Sequence, residues 1–154
     1  MERVLVAIDL SDESEIVLKY ASRFASQFKA QLCVVHCESI EQYMAVAEDD
    51  TMGEFNGVML PEVIRNRKKA LKNRLNQIKL NLQKKNLKVK SVLLEGPTVD
   101  NILEEAKAFK ADLIIVGSHK HGKFYHLLFG STHDAIIKHS NFPVLVVPPD
   151  LNVN

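Results

Sequence analysis

Short apolar runs alternate with amphipathic stretches along the whole chain. Five runs of β-branched and other apolar residues predict strands: 3–9, 30–36, 88–96, 112–117 and 143–147. Four stretches in which apolar residues recur every three or four positions predict helices: 16–28, 61–86, 99–109 and 132–139. This order predicts a parallel α/β sheet with helices on both faces, because consecutive parallel strands are joined by right-handed crossovers.

The first two connections differ in length and charge. Ser11 or Asp12 is predicted to cap the first helix, with Glu15 three residues after Asp12 as in a capping box. Residues 38–60 are acidic, contain no Lys or Arg, and are predicted to form a loop with one helical turn. Connections of this length are usually functional or mobile.

The bulk composition is that of an ordinary globular protein. The chain has 154 residues, of which 46% are hydrophobic and 25% charged, and this predicts a single domain over residues 1–154. The net charge of +1 argues against nucleic acid or a membrane surface as a partner. The N-terminal "MERVLVAIDL" predicts a strand rather than a signal peptide, and we therefore expect a cytoplasmic protein.

The two cysteines, Cys33 and Cys37, lie in "QLCVVHC" at 31–37, which we treat as one extended segment. They would lie on the same face about 13 Å apart, at about 3.3 Å per residue. A disulfide requires Cα atoms within about 7 Å. We therefore expect two free thiols that serve as small core residues, in agreement with a reducing compartment.

The most polar loops follow the first and fourth predicted strands, at residues 9–12 and 117–132. In doubly wound sheets, ligands bind beyond the carboxyl ends of the strands, where the strand order reverses. If the order is 3-2-1-4-5, the first and fourth strands are neighbours. The two loops would then form one crevice.

The second of these loops has residues suited to phosphate. Gly117 lets the backbone approach a ligand, and the segment 130–132 (Gly-Ser-Thr) precedes a helix whose free N–H groups attract anions. Lys120 and Lys123 could add positive charge. The alternative is that 130–132 only caps the helix, since Ser and Thr are common at that position.

The sequence resembles the universal stress protein family over nearly its whole length. The resemblance is carried by "VLVAID" at 4–9, "VVH" at 34–36, "EGP" at 95–97 and, most specifically, "ADLIIVGSHKHG", "LLFGST" and "HSNFPVLVV" near the end. It implies a five-stranded parallel sheet of order 3-2-1-4-5, the Rossmann-like fold of the adenine nucleotide alpha hydrolases. It also implies a homodimer.

Some members of that family bind ATP through the pattern Gly-x2-Gly-x9-Gly-Ser/Thr. Gly117 matches the first glycine, and Gly130 with Ser131 matches the last pair. Lys120 stands where the pattern has its middle glycine, and Gly122 lies two residues later and could supply flexibility instead. A lysine there either blocks the approach of the backbone to phosphate or places an ammonium group on it, and the sequence leaves both open.

The resemblance implies a nucleotide site with two sides. Asp9 and the Ala7 backbone would lie near the adenine or ribose, and the Cys37 backbone would face the base. The other side would hold the ribose and phosphates through Val116, Gly117, Gly130, Ser131 and Thr132. Any metal would be Mg²⁺ carried by the nucleotide, because Mg²⁺ prefers phosphate oxygens and retains its waters.

Two other kinds of site are disfavoured, and one histidine is given a structural role. His119, His121 and His126 do not follow a common zinc-ligand spacing, so we assign no metal ligand. Residues 65–90 hold eleven of the twenty Lys and Arg but no aromatic residue, which indicates a solvated face rather than a nucleic-acid footprint. His36, at the end of a strand, is interpreted as a satisfied, half-buried histidine.

An enzyme built on a nucleophile is also disfavoured, because there is no Gly-x-Ser-x-Gly elbow. The Gly-Lys-Ser or Gly-Lys-Thr of a P-loop is missing as well. No catalytic residue is assigned, and any ATP hydrolysis should be slow without a general base. We expect a nucleotide-binding stress-response sensor or adaptor with unknown protein partners. The alternative is a dimeric interaction module of the same fold that binds no nucleotide.

The dimer expectation also rests on the last strand. "FPVLVV" at 142–147 would form an apolar sheet edge, and such edges are usually paired or covered. Val144 and Val146 are therefore predicted to meet a second copy of the chain.

Overall fold

A single parallel sheet organises the computed structural model, which describes residues 1–39, 41–42, 60–118 and 132–148. Its strands are β1 (Arg3–Ala7), β2 (Gln31–Glu38), β3 (Val89–Glu95), β4 (Leu113–Gly117) and β5 (Val144–Val147). All neighbouring pairs are parallel, and the order is β3-β2-β1-β4-β5. The predicted sheet and its order are confirmed.

Helices join these strands on both faces. They are α1 (Ser14–Phe28), α2 (Leu60–Gln83), α3 (Thr98–Phe109) and α4 (Thr132–His139). Pro61 is the second residue of α2, a position that needs no backbone N–H donor and suits the fixed φ of proline. Within the described ranges, no helix is both long and apolar enough to cross a membrane.

The sheet separates two hydrophobic clusters. One lies under α1 and α2 and contains Val17, Leu71 and Leu75 packed with the β1 side chains of Val4 and Val6. The other lies under α3 and α4, and the strands that contribute its buried members are β1, β2 and β4. Its buried members are Leu5, Cys33, Val35, Ile102, Ala106, Phe109, Ala111, Ile114, Val116 and Ile136. Strands covered on both faces explain why their sequences are apolar without alternation.

The second strand is longer than the sequence indicates. It continues past His36 to Glu38, where the chain was predicted to enter the acidic loop. Glu38 is only 1% exposed, and its carbonyl accepts a hydrogen bond from the Gly96 N–H at 3.1 Å. Interactions made by an acidic residue therefore hold the end of the strand, and hydrophobic patterning does not reveal them. The rest of the predicted loop, apart from 39, 41–42 and 60, lies outside the described residues.

The predicted cap of the first helix is wrong. The N-cap residue is Glu13, and it makes no side-chain cap hydrogen bond, so neither Ser11 nor Asp12 begins a capping box with Glu15. Their carbonyls instead accept the first free N–H groups, from Ser14 and Glu15 at 3.1 and 3.2 Å. Backbone turns thus satisfy donors that a side-chain cap would otherwise take.

Candidate functional site

The exits of β1 and β4 lie side by side at the carboxyl edge of the sheet. Ala7, the last residue of β1, is in register with Val116 of β4. From there the chain passes from β1 to α1 over one hydrophobic cluster, and α4, which follows β4, packs over the other. This is the switch point at which open α/β sheets leave a crevice for ligands.

The turn after β1 is built around the Asp9 carboxylate. Its Oδ1 accepts hydrogen bonds from the Ser11 N–H at 2.9 Å, the Ser11 hydroxyl at 2.6 Å and the Ser14 hydroxyl at 2.7 Å. Leu10 between them has φ of 63°, in the left-handed region, while its side chain is buried in the core. Non-glycine residues at positive φ store strain and cluster at functional sites. The carboxylate is thereby held in one orientation at the carboxyl edge of the sheet.

Gly117 has a packing role that the sequence does not reveal. A Cβ added at this position would lie 2.9 Å from Val17 Cγ2 on α1. The glycine therefore lets α1 pack closely against the end of β4, in addition to any role in letting the backbone approach a ligand.

The end of β2 lies on the other side of β1 at the same edge of the sheet. Cys37 lies one residue before the end of β2, next to β1 in the sheet, and the Ile8 N–H just after β1 donates to the Val35 carbonyl at 2.9 Å. The Cys37 thiol contacts the Gly96 carbonyl at 3.6 Å, so its side chain is turned toward the β3 exit. The structure thus brings the predicted residues Ala7, Asp9, Cys37, Val116 and Gly117 to one edge of the sheet.

The remaining predicted positions lie at the start of α4 or outside the described residues. Thr132 is the exposed first residue of α4. Lys120, Gly122, Gly130 and Ser131 lie outside the described residues, as do Lys123 and the histidines at 119, 121 and 126. Among the residues that the structure describes, no group of three His, Cys, Asp or Glu side chains is arranged to hold a metal.

A polar network with two buried members lies beneath this edge, and sequence reasoning missed it. His36 and Glu38 are 3% and 1% exposed, and His36 Nε2 lies 2.8 Å from Glu38 Oε2. The other ring nitrogen, Nδ1, lies 2.9 Å from the Ile8 carbonyl oxygen. Arg67 of α2 donates from Nε to Glu38 Oε1 at 2.9 Å. We call His36, Glu38 and Arg67 the relay.

The interpretation of His36 as a satisfied histidine is confirmed, although the ring is fully buried rather than half-buried. One sequence signal could have indicated its partner: residues two apart in a strand share a face, so His36 and Glu38 had to point the same way. No local signal indicated Arg67, which falls in a basic stretch interpreted as solvated. Lys68 in the same stretch pairs with Glu95 at 2.6 Å, on the surface.

Neither cysteine is set up as a nucleophile. Both are free and buried, as predicted. Burial, and then the charge of Glu105, raises the pKa of the Cys33 thiol to about 12. Burial also raises the pKa of Cys37, against the opposing effect of the hydrogen bond from Asn101. Because the thiolate is the reactive form, both environments suppress reactivity.

Cys33 is expected to resist alkylation in the native protein. At about pH 8, roughly one Cys33 side chain in ten thousand is thiolate, because its pKa is about 12. Iodoacetamide followed by peptide mass spectrometry should leave Cys33 unmodified in native protein and label both cysteines in urea. Rapid labelling of native Cys33 would show that its surroundings are not those described.

The sequence matches known proteins over nearly its whole length. A model of the universal stress protein family matches residues 1–148. The chain belongs to the universal stress protein family. Universal stress protein A homolog 2 of Coxiella burnetii is 34% identical over 151 residues, covering 95% of this chain and 94% of that protein. Universal stress protein MJ0577 of Methanocaldococcus jannaschii is 28% identical over 155 residues, covering 95% and 94%.

Solved structures of universal stress proteins share the fold. The structure of MJ0577 has a TM-score of 0.74 at 28% identity and covers 96% of this chain and 95% of its own. A universal stress protein in complex with cAMP has a TM-score of 0.65 at 20% identity, covering 97% and 98%. The universal stress protein from Archaeoglobus fulgidus in complex with dAMP has a TM-score of 0.58 at 21% identity, covering 95% and 97%. The last two likenesses are of fold alone.

Proposed function

We propose that this universal stress protein binds an adenine nucleotide (ATP, ADP or AMP) at the switch point and acts as a stress-response sensor or adaptor. The observation that carries the proposal is the adjacency of the β1 and β4 exits, with Ala7 and Val116 in register. Two proteins of the same fold, solved with cAMP and dAMP, support adenine nucleotides as the ligand class. The free cysteines suit a reducing compartment, in keeping with a cytoplasmic location.

In this proposal the two strand exits contact different parts of the nucleotide. Ala7, Asp9 and the Cys37 backbone lie on the adenine and ribose side. The three hydrogen bonds to Asp9 Oδ1 hold that carboxylate in place before a ligand arrives, and preorganisation lowers the cost of binding. Val116 and Gly117 lie on the ribose and phosphate side, with the segment from Lys120 to Thr132 on the phosphates and Mg²⁺ carried by the nucleotide.

Binding of ATP with Mg²⁺ should raise the melting temperature in a concentration-dependent way. Free ligand at ten times its dissociation constant stabilises the native state by about 1.4 kcal/mol. Differential scanning fluorimetry with ATP, ADP and AMP, each with Mg²⁺, tests this and ranks the nucleotides, with GTP as the control for the base. No shift at millimolar concentrations of any adenine nucleotide would contradict the proposal and favour an interaction module without nucleotide.

The departure from the ATP-binding pattern is tested in the same assay. Lys120→Gly restores the middle glycine of the pattern. A larger shift in this variant means that the lysine side chain obstructs phosphate, and a smaller one means that its ammonium group contributes a contact.

We also propose that the protein is a homodimer formed through β5. This strand is at the edge of the sheet, and Val144, Leu145 and Val146 stay half-buried in the single chain. Light scattering should give twice the mass of one chain. Val146→Lys should yield a monomer, because a charge on an edge strand opposes strand pairing.

A matched control for this variant is Leu80→Lys, which puts the same charge on an exposed apolar residue of α2, 41% accessible and far along the sheet from β5. It should remain dimeric, and circular dichroism should show both variants folded. A monomeric wild-type protein would rule the homodimer out.

A further inference from the structure

The hydrogen-bond geometry of the relay requires a proton that His36 and Glu38 share. A backbone carbonyl oxygen can only accept, so the contact of 2.9 Å between His36 Nδ1 and the Ile8 oxygen places a hydrogen on Nδ1. A neutral imidazole then has a bare Nε2, which would face the Glu38 oxygen at 2.8 Å with lone pair against lone pair. A second proton must therefore lie between Nε2 and Oε2.

This proton gives the relay a net charge of +1 whichever atom carries it. The states are an imidazolium beside a carboxylate, or a neutral imidazole beside a carboxylic acid, and Arg67 adds its positive charge in both. The ring and the carboxyl group are 3% and 1% exposed, so water does not replace a lost contact. Breaking one interaction of a buried network leaves a polar group without a hydrogen-bond partner, which costs more free energy than replacing both partners by apolar groups.

Two members of the relay, His36 and Glu38, lie on β2, whose exit forms part of the base side of the proposed nucleotide site. Ile8, which accepts from His36, directly precedes Asp9. Cys37 lies between His36 and Glu38 in β2, and Arg67 of α2 donates a hydrogen bond to Glu38. A change in the distance between His36 and Glu38 is therefore expected to displace the exits of β1 and β2 together.

We propose that the proton shared by His36 and Glu38 is a latch that holds the β1 and β2 exits in the arrangement that binds nucleotide, and that its loss on raising the pH lowers nucleotide affinity. This inference rests on the proposed function for its second half. Loss of the proton leaves two acceptors at a hydrogen-bond distance in a buried site. The ring and the carboxylate then separate, and the Ile8 carbonyl loses its fixed partner.

Other charged groups surround the relay on the neighbouring elements. In the described part of the chain, the hydrogen bonds of the His36 ring are to Ile8 and Glu38 alone. Glu95 of β3 is in register with Glu38, Arg67 and Lys68 come from α2, and Asp9 directly follows Ile8. Glu95 is neutralised by Lys68 at 2.6 Å, and Glu38 receives Arg67, so Glu38 is the carboxylate in direct contact with the ring.

The latch can be tested on the wild-type protein without nucleotide. Nitrogen NMR between about pH 6 and about pH 9 follows both ring nitrogens of His36, over the range in which histidines commonly change charge. We expect Nδ1 to stay protonated, Nε2 to change, and the amides of Asp9, Leu10 and Cys37 to change with the same midpoint. A His36 ring that changes while these amides do not would overturn the latch, as would Nε2 signals that are constant over the range.

Glu38→Gln is the variant that removes the proton but keeps the contacts. The amide NH2 donates to the bare Nε2, and the amide oxygen still accepts from Arg67. Glu62→Gln is the matched control, because it makes the same change at an exposed carboxylate. Glu62 lies on α2 and pairs with Arg65 one turn along that helix. Far-ultraviolet circular dichroism checks that both variants fold.

Affinity is measured with ATP and Mg²⁺ by calorimetry at the two ends of that pH range. The wild type and Glu62→Gln should bind at least about 5-fold more weakly at the alkaline end, the lower limit of ordinary coupling between sites. Glu38→Gln should lose this dependence, while titration of ATP itself is common to all three proteins and cancels. An equal pH dependence in all three would overturn the effect on affinity. Absence of binding at every pH would overturn the proposed function, and the NMR result would still decide the latch.

Discussion

Replacing Ile136 with alanine is expected to lower the free energy of unfolding by about 2–5 kcal/mol, because the cost of a cavity adds to the lost burial. Ile136 is 0% exposed and is the residue through which α4 enters the cluster under α3 and α4. For a chain of this length, each kcal/mol lowers the melting temperature by about 2–4 °C. Urea denaturation followed by circular dichroism measures the loss.

The adjacent residue provides the control. Ile137 is 50% exposed, so Ile137→Ala makes the same chemical change, with the same effect on helix propensity, but opens no cavity. It should change the stability by less than about 0.5 kcal/mol. Equal losses in the two variants would mean that α4 does not pack through Ile136.

Strands and helices were predictable because each is defined by a local repeat. The apolar positions of α1 recur at the period of a helix, and the runs in β1 and β4 are apolar throughout because both faces of the sheet are covered. These features need no knowledge of distant residues. The same reasoning predicted free thiols at Cys33 and Cys37, because their separation in a strand follows from the rise per residue.

Polar contacts at the carboxyl edge were not predictable in the same way. The turn at Asp9 depends on Leu10 adopting a left-handed conformation, which is rare for a leucine and is compensated by burial of its side chain. Glu38, the last residue of β2, is buried with its carboxylate bonded to Arg67, which lies 29 residues further along the chain. Neither contact leaves a periodic trace, so the helix cap and the end of β2 were predicted wrongly.

The candidate site likewise has features that were predictable from the sequence and one that was not. Its strand exits were predicted from the alternation of elements and from the family resemblance, and the structure brings them together at Ala7 and Val116. The close approach of Gly117 to Val17 joins positions far apart in the sequence. A glycine in a binding pattern is readily explained by the ligand alone, and here the packing of α1 gives it a second reason.

Replacing Gly117 with alanine is therefore expected to destabilise the protein by about 1–3 kcal/mol through overpacking. The new Cβ would lie 2.9 Å from Val17 Cγ2, closer than such atoms approach in proteins. Val17 is buried, and a valine in a helix has one strongly preferred rotamer, so its methyl group cannot turn away cheaply. Urea denaturation gives the loss, and an unchanged stability would show that α1 has room to move.

The double variant Gly117→Ala with Val17→Ala separates packing from ligand approach. Val17→Ala removes the methyl group that the new Cβ meets, so the two losses should not add, and the shortfall measures the contact. If the double variant regains stability and its ATP-induced shift relative to Val17→Ala alone, the glycine is required only for the packing of α1. If stability returns and the ATP-induced shift does not, the backbone at Gly117 must also lie against the nucleotide, because Val17 is the one neighbour that the added Cβ meets among the residues that the structure describes.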